Sequence, residues 1–328
     1  MFTSLRIVLL TCLLFLTSPL CAEEPPAAET PPTPEEIQAA LDKISKWFTW
    51  GPSQPPAAPV KQPEWYPREA EDVKRVEEVL TAWSASRAKG GSLRCQFRQW
   101  EFDPAFGPQD RKTPYVYSEG EYRWDAADVW MWRGTSAQKA VANGDKTEWR
   151  EVDPENRARN KSTIYEFDYR IKTLYERRIP EGSADIPPFG IFGIIVGSFT
   201  SSAELLRLDP AGLPDRFWIR PVTVTTGKNE RWLELLPKKV ADARQFSSLL
   251  VAVSESDWEV CSLDIRAPNY AEKTNPAHTS IAFLNRTRPT AASGLLKTVL
   301  GSSYSCIPTV PTGWKRVVED YRGIPIKK

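Results

Sequence analysis

Histidine is nearly absent from this chain, and cysteine and methionine are scarce. The 328 residues include one His, five Cys and two Met. A serine–histidine–aspartate site would depend on His278, which lies at a predicted turn without a nucleophile-elbow motif. Zinc needs clustered Cys and His, and neither GxGxxG nor a Walker loop is present. We therefore expect no catalytic residue, metal or cofactor.

An excess of charge of either sign is also lacking. Arg6 is the one charged residue among the first 22, and the remainder holds 42 basic and 42 acidic residues. Proteins that bind nucleic acid through its phosphates carry a basic excess, so no nucleic-acid partner is expected. Glu119 and Glu121 share a strand face, which an exposed surface explains better than acid–base catalysis.

No hydrophobic run reaches the length of about 20 residues that spans a bilayer. Residues 1–22 combine Arg6 with an apolar run, Ile7 to Leu16, in the pattern of a cleaved secretory signal peptide. A membrane anchor is the alternative. Cys21 leaves lipidation open, although Leu20 is large for the position before a lipidated cysteine. The sequence thus predicts export to the periplasm or cell envelope.

Proline is abundant near the N-terminus. Residues 23–66 form a predicted Pro-rich linker, interrupted by one amphipathic helix at 34–50 that begins with a capping box. Its apolar face recurs at spacings of three and four: Ile37, Leu41, Ile44 and Phe48. This helix either packs on its own domain or docks on an envelope protein partner.

A second helix, predicted over 68–88, precedes a series of short strands. On the first strand Leu93, Cys95 and Phe97 share one face, whereas Trp100 and Phe102 share the other. This switch predicts either a bulge near Arg98 or a strand that bends around a core.

A loop is predicted over 137–146, and a C-terminal tail, pinned by Trp314 and Tyr321, over 290–328. About ten strands in one flat sheet would be unusual. We therefore predict an α+β, mostly β fold for residues 67–289. In it a curved antiparallel sheet forms a half-open β-barrel covered by helices.

Aromatic residues make up 11% of the chain, including 13 Trp. They either fill the core of the curved sheet or line a groove for acyl chains or another apolar ligand. The apolar run 190–199 is either a buried loop or a mobile lid with glycine hinges.

Three cysteines follow residue 22: Cys95, Cys261 and Cys306. Export permits a disulfide, and an odd number leaves one thiol over. The spacing does not fix the pairing. We favour Cys261 with Cys306, which would staple the tail to a strand.

The segments EDVKRVEEVLTAWSASRA, LRCQFRQWEFDPAFG, EGEYRW, TIYEFDYRIKTLYERRIP, LELLPKKVADARQFSSLLVAV and RAPN follow one another between Arg68 and Pro289. In this order they resemble the LolA-like lipoprotein-carrier superfamily, and within it an uncharacterised family of exported planctomycetal proteins. The resemblance implies an apolar interior that holds lipoprotein acyl chains. In the carriers an arginine after the Gly120 segment holds the lid closed. Here Met131 stands at that place, and Arg133 follows two residues later.

We accordingly expect a non-enzymatic, monomeric envelope protein that binds lipid or lipoprotein acyl chains as a carrier or sensor. The alternative is an envelope scaffold whose barrel is fully packed. The candidate ligand-binding residues are Phe97, Trp124, Met131, Arg133, Phe167, Phe189, Ile191, Phe192 and Ile195.

Overall fold

The computed structural model describes residues 60–89, 92–108, 110, 112–125, 129–143, 146–179, 209–224, 229–288, 308–320 and 326. Its helices are α1 (Ala70–Ala88), α2 (Leu213–Arg216) and α3 (Val240–Ala243). Its strands are β1 (Leu93–Phe102), β2 (Val116–Asp125), β3 (Val129–Asn143), β4 (Lys146–Glu151), β5 (Asn156–Asn160), β6 (Thr163–Asp168), β7 (Thr173–Arg178), β8 (Phe217–Val222), β9 (Glu230–Pro237), β10 (Ser248–Ser254), β11 (Val260–Arg266), β12 (His278–Thr287) and β13 (Lys315–Asp320).

The thirteen described strands form one open sheet. Their order is β13-β7-β6-β5-β3-β2-β1-β12-β11-β10-β9-β8, and β4 pairs with β3 beside this path. Pairing is antiparallel except between β13 and β7, which are parallel. The expected fold class, a mostly β α+β fold with a curved antiparallel sheet, is confirmed.

Helix α1 lies against one side of this sheet, which we call the helix face. It contacts β8 at one end of the sheet. At its C-terminal end the Arg87 guanidinium lies 5.2 Å from the ring of Trp124, on β2. One helix therefore reaches strands six positions apart in the sheet order. The sheet wraps around it, and we call β1–β3 together with β8–β12 the helix-covered half.

The space beneath α1 is filled by side chains of the described residues. Phe97 is 1% exposed, and its ring stacks on Trp132 with 3.7 Å between ring centroids. Gly120 pairs with Phe97 across the strands, and a Cβ there would lie 2.6 Å from the phenyl ring. The other large, fully buried side chains of this core include Trp83, Trp130, Tyr122, Phe217, Phe246 and Phe283.

The remaining strands, β5, β6, β7 and β13, form what we call the far half, and its polarity is reversed. Residues that face each other across paired strands point to the same side of a sheet. Arg157 pairs with Trp132 and Glu166 with Arg157, so charged side chains continue the helix face here. The opposite side, the outer face, carries a small apolar cluster: Ala158, Tyr165 and Leu174, with Val129, Met131, Phe167 and Val310 packed against them.

Three expectations from the sequence are corrected by these strands. The predicted loop over 137–146 is wrong, because β3 continues to Asn143 and pairs with β4. The predicted bulge near Arg98 is also wrong, because the register between β1 and β12 shifts between Arg94 and Gln96. Strands β5 and β13 were not predicted, and β13 lies within the expected tail.

Trp314 pins the tail as predicted, with its ring centroid 5.0 Å from Tyr169 and 5.8 Å from Phe167. The predicted signal peptide, the helix at 34–50, the run 190–199 and Tyr321 lie outside the described residues.

Candidate functional site

A groove of about 570 Å³ lies on the outer face of the sheet. This volume falls within the range of about 300–1,000 Å³ that is typical of small-molecule sites. We call it the outer groove, defined by its lining residues Trp100, Phe102, Lys112, Pro114, Tyr117, Gln138, Trp149, His278 and Ser280.

Strand alternation explains why these side chains meet. Leu93, Cys95 and Phe97 point to the helix face, so Trp100 and Phe102 point away from it. Trp100 pairs with Tyr117 on β2 and with Ser280 on β12. Tyr117 in turn pairs with Gln138 on β3. A row of side chains therefore crosses four neighbouring strands, and Trp149 on β4 extends it.

Aromatic rings at the rim of the groove are exposed to solvent. Trp149 is 42% exposed, and Phe106, on the β1–β2 connection, is 73% exposed. Phe106 lies 6.3 Å from Tyr115, near the Lys112 and Pro114 side of the groove. Clustered exposed apolar groups are characteristic of binding surfaces. The outer groove therefore has an apolar floor and an apolar rim.

The single histidine of the chain lies at the β12 end of this groove. Its ring stacks on Phe102 at 4.4 Å and 9°, and Tyr270 meets it edge-on at 6.2 Å. Nδ1 lies 2.6 Å from the Pro276 carbonyl oxygen, and Nε2 lies 3.8 Å from Oδ2 of Asp264.

Ser280, beside the histidine in the groove wall, donates to the same Asp264 oxygen at 2.6 Å. A nucleophilic serine would have its proton directed at the imidazole. Here the hydroxyl proton is directed at a carboxylate, so this trio lacks the arrangement for acyl transfer.

Both cysteines within the described residues are made less reactive by burial. Burial raises the pKa of the Cys95 and Cys261 thiols to about 12. Such thiols stay protonated and are poor nucleophiles. Among the described residues Cys261 has no disulfide partner, and its Sγ donates to the Ala252 carbonyl at 3.5 Å. Cys306 lies outside the described residues, so its pairing with Cys261 stays a prediction.

In the part of the chain that the structure describes, no group of three His, Cys, Asp or Glu could hold a metal ion. None of the described helices is long and apolar enough to cross a membrane.

The structure separates the candidate residues that the sequence suggested for ligand binding. Phe97 lies in the core beneath α1, and Trp124 packs against that core between Arg87 and Arg288. Met131 and Phe167 come together in the small cluster on the outer face. Arg133 is exposed on that same face, two residues beyond Met131. The remaining four, Phe189, Ile191, Phe192 and Ile195, lie outside the described residues.

The outer groove was missed because its residues come from distant parts of the sequence. Its one visible signal was the change of apolar face along β1, where Trp100 and Phe102 alternate out of phase with Phe97. From the sequence alone, that change indicates a bulge or a bend in the strand. A second apolar surface on the outer face is the actual cause.

No protein-family model and no curated protein matches the chain. Solved structures do match, at low sequence identity. An uncharacterized conserved protein from Thermus thermophilus has a TM-score of 0.35 at 8% identity, over 76% of this chain and 97% of that one. LprF from Mycobacterium bovis has a TM-score of 0.32 at 7% identity, over 74% of this chain and 99% of that one.

A LolA superfamily protein from Nitrosomonas europaea has a TM-score of 0.23 at 9% identity, over 66% of this chain and 94% of that one. Scores and identities this low carry no argument about fold or function.

Proposed function

We propose that this protein is a non-enzymatic, exported envelope protein that binds an apolar ligand, as a carrier or sensor of lipid or lipoprotein acyl chains. We further propose that the ligand lies in the outer groove, and not beneath α1 as in the arrangement that the sequence resemblance implies. The observation that supports this site is that side chains fill the helix face, whereas the opposite side of the same sheet carries an aromatic groove.

The space beneath α1 is a poor candidate for a ligand. Phe97, Tyr122 and Trp130 are each 1% exposed, and Trp83 is fully buried. Interiors packed to this degree have few voids larger than a water molecule. An acyl chain would have to displace several aromatic rings from their contacts.

The outer groove suits an elongated apolar chain. Trp100 and Tyr117 form its floor, with ring centroids 5.8 Å apart, and Trp149 stands at its rim. Aromatic side chains of this kind bury large apolar areas when a ligand covers them. Gln138 and Ser280 add hydrogen-bonding groups that can fix the ligand's orientation.

Quenching of tryptophan fluorescence by a bromine-labelled fatty acid tests this proposal, because bromine quenches only indoles that it contacts. We expect saturable quenching that largely disappears in a Trp100→Phe, Trp149→Phe variant. Trp149→Ala should weaken binding about tenfold, the equivalent of ~1.4 kcal/mol of lost contact. Trp65→Ala is the matched control, because Trp65 packs against Arg220 near β8 and should leave affinity unchanged. Quenching that persists in the double variant would place the ligand elsewhere.

The filled helix face also favours a second candidate function, an envelope scaffold that docks a partner through residues 34–50. Deletion of these residues should then release the protein from the envelope fraction. Binding of the brominated fatty acid should remain unchanged in the same variant. Retention in the envelope after the deletion would count against the scaffold.

A further inference from the structure

The contacts of His278 indicate where its protons lie. A carbonyl oxygen can only accept a hydrogen bond, so the 2.6 Å contact with Pro276 puts a proton on Nδ1. Nε2 then faces the Asp264 carboxylate, another acceptor, at 3.8 Å. Nδ1–H therefore donates to Pro276, and Nε2 is the ring nitrogen that points toward Asp264.

Nε2 makes no direct hydrogen bond with Asp264, because 3.8 Å is too long for one. Asp264 already accepts from Ser280, and its Oδ1 lies 3.6 Å from the Arg266 guanidinium. When the ring carries a second proton, Nε2–H is therefore able to donate to another oxygen. His278 lines the outer groove, where a ligand oxygen could accept that hydrogen bond.

Charged and titratable groups around His278 come from several elements. Asp264 and Arg266 lie on β11, and Tyr270 on the connection to β12. Across β1 and β2, Tyr117 donates to Glu119, which pairs with Arg98 at 3.6 Å. The connection between β1 and β2 carries Lys112, with Asp110 beside it, and Glu151 pairs with Gln138 at the β4 end.

None of the nine residues that line the groove is acidic, and two of them, Lys112 and His278, can carry positive charge. A groove with an apolar floor and only cationic charge in its lining is complementary to an amphiphile with an acidic end.

We propose that the outer groove binds an amphiphile bearing one acidic group, a carboxylate, phosphate or sulfonate. Lys112 and His278 hold that group, and His278 takes up a proton from solvent as the acid binds. This inference rests on the proposed function for the apolar part of the ligand. It adds the ligand's charge and a dependence on pH, because histidine is the side chain that changes charge between about pH 5 and 8.

An alkyl sulfonate tests the inference, because it stays ionised throughout this pH range. Its affinity, measured by displacement of a fluorescent fatty acid below the critical micelle concentration, should rise about three- to tenfold from pH 8 to pH 5.5. The alcohol of equal chain length should show no such rise. His278→Gln should abolish the rise and keep the affinity seen at pH 8. Lys112→Gln should weaken sulfonate binding at every pH, whereas Lys89→Gln, at the end of α1, should not.

The single histidine permits a second readout that needs no apolar ligand. With ¹³C-labelled histidine, the NMR signals of the one imidazole should move toward their protonated positions when sulfate is added at constant pH and ionic strength. If neither the fatty acid, the sulfonate nor the alcohol binds but sulfate still shifts the imidazole signals, the proposed function is wrong. The proposal that Lys112 and His278 bind an acidic group would then stand. Two results would overturn this inference and leave the proposed function intact. One is an equal pH dependence for the sulfonate and the alcohol. The other is an imidazole whose NMR signals do not change when sulfate or sulfonate is added.

Discussion

The two halves of the sheet bury opposite faces. In the helix-covered half the helix face is apolar, and the outer face carries the groove and a row of polar groups. In the far half the helix face carries buried charges, and the apolar cluster lies on the outer face. The change occurs at β3, where Trp132 on the helix face pairs with Arg157 of β5. Where a sheet extends beyond its covering helix, the apolar side chains can thus move from one face to the other between two neighbouring strands.

The far half tolerates buried charge because its charges are paired across strands. Arg177 lies between Glu166 and Glu319, and its Nε is 3.4 Å from the Glu319 carboxylate. Arg157 contacts Glu155 at 2.9 Å and Glu166 at 3.5 Å. Buried ions are retained when each has a partner, because an unpaired one costs several kcal/mol. Ion pairs therefore stabilise the helix face of the far half, whereas packed aromatic rings stabilise the helix face of the helix-covered half.

The largest effect should come from the core beneath α1. Trp132→Ala removes a buried indole that stacks on Phe97, and we expect it to lower the free energy of unfolding by about 3–5 kcal/mol. Tyr165→Ala is the counterpart in the small cluster of the far half, and we expect a loss of about 1–3 kcal/mol because that cluster is thinner. Urea denaturation measures both. Equal losses of stability would contradict the expectation that the core beneath α1 contributes more than the small cluster of the far half.

Breaking the charge network should cost somewhat less. Arg177→Met leaves the carboxylates of Glu166 and Glu319 without their shared cation, so we expect a loss of about 2–4 kcal/mol. Arg75→Met, which removes an exposed ion pair with Glu71 on α1, is the control and should cost less than about 0.5 kcal/mol. If the two substitutions are equally mild, the far half does not depend on its ion pairs.

Glu101, on β1 in the helix-covered half, gives a pH-dependent test. Burial, with a smaller contribution from the nearby Glu155 carboxylate, raises its pKa to about 7. Because the unfolded chain releases this proton at a lower pH, the stabilisation is complete below about pH 4.5 and is lost as pH rises through 7. Glu101→Gln should remove this decline, leaving the variant about 1–3 kcal/mol more stable than the parent at pH 8. Parallel stability–pH curves for the two proteins would contradict the burial of this carboxylate.

The smallest effect on stability should come from the groove. Trp149 is already 42% exposed, so Trp149→Ala should change the free energy of unfolding by less than about 0.5 kcal/mol. Its consequence should instead be the weaker ligand binding described above. A large loss of stability in thermal denaturation would assign Trp149 a structural role.

Much of the architecture could be predicted from local patterns. The spacing of Val76, Leu80 and Trp83 located α1, and alternation located most strands, including the hairpin of β6 and β7. Strand β5, with the sequence NRARN, was missed because it has no apolar alternation, and β13 was missed for the same reason. The charged residues of these two strands form ion pairs with residues on other strands, and a local sequence pattern does not reveal such partners.

For the described residues, the sequence alone determined that an amphipathic helix precedes a series of strands, because the 3.6- and 2-residue periods are local properties of the backbone. It also determined that Trp100 and Phe102 point away from Phe97. Only the tertiary structure decided that the rings near α1 fill the space beneath it, and that the outward rings join His278 and Trp149 in a groove. These outcomes depend on strand order and register, which bring residues about 180 positions apart into contact and which no local pattern specifies.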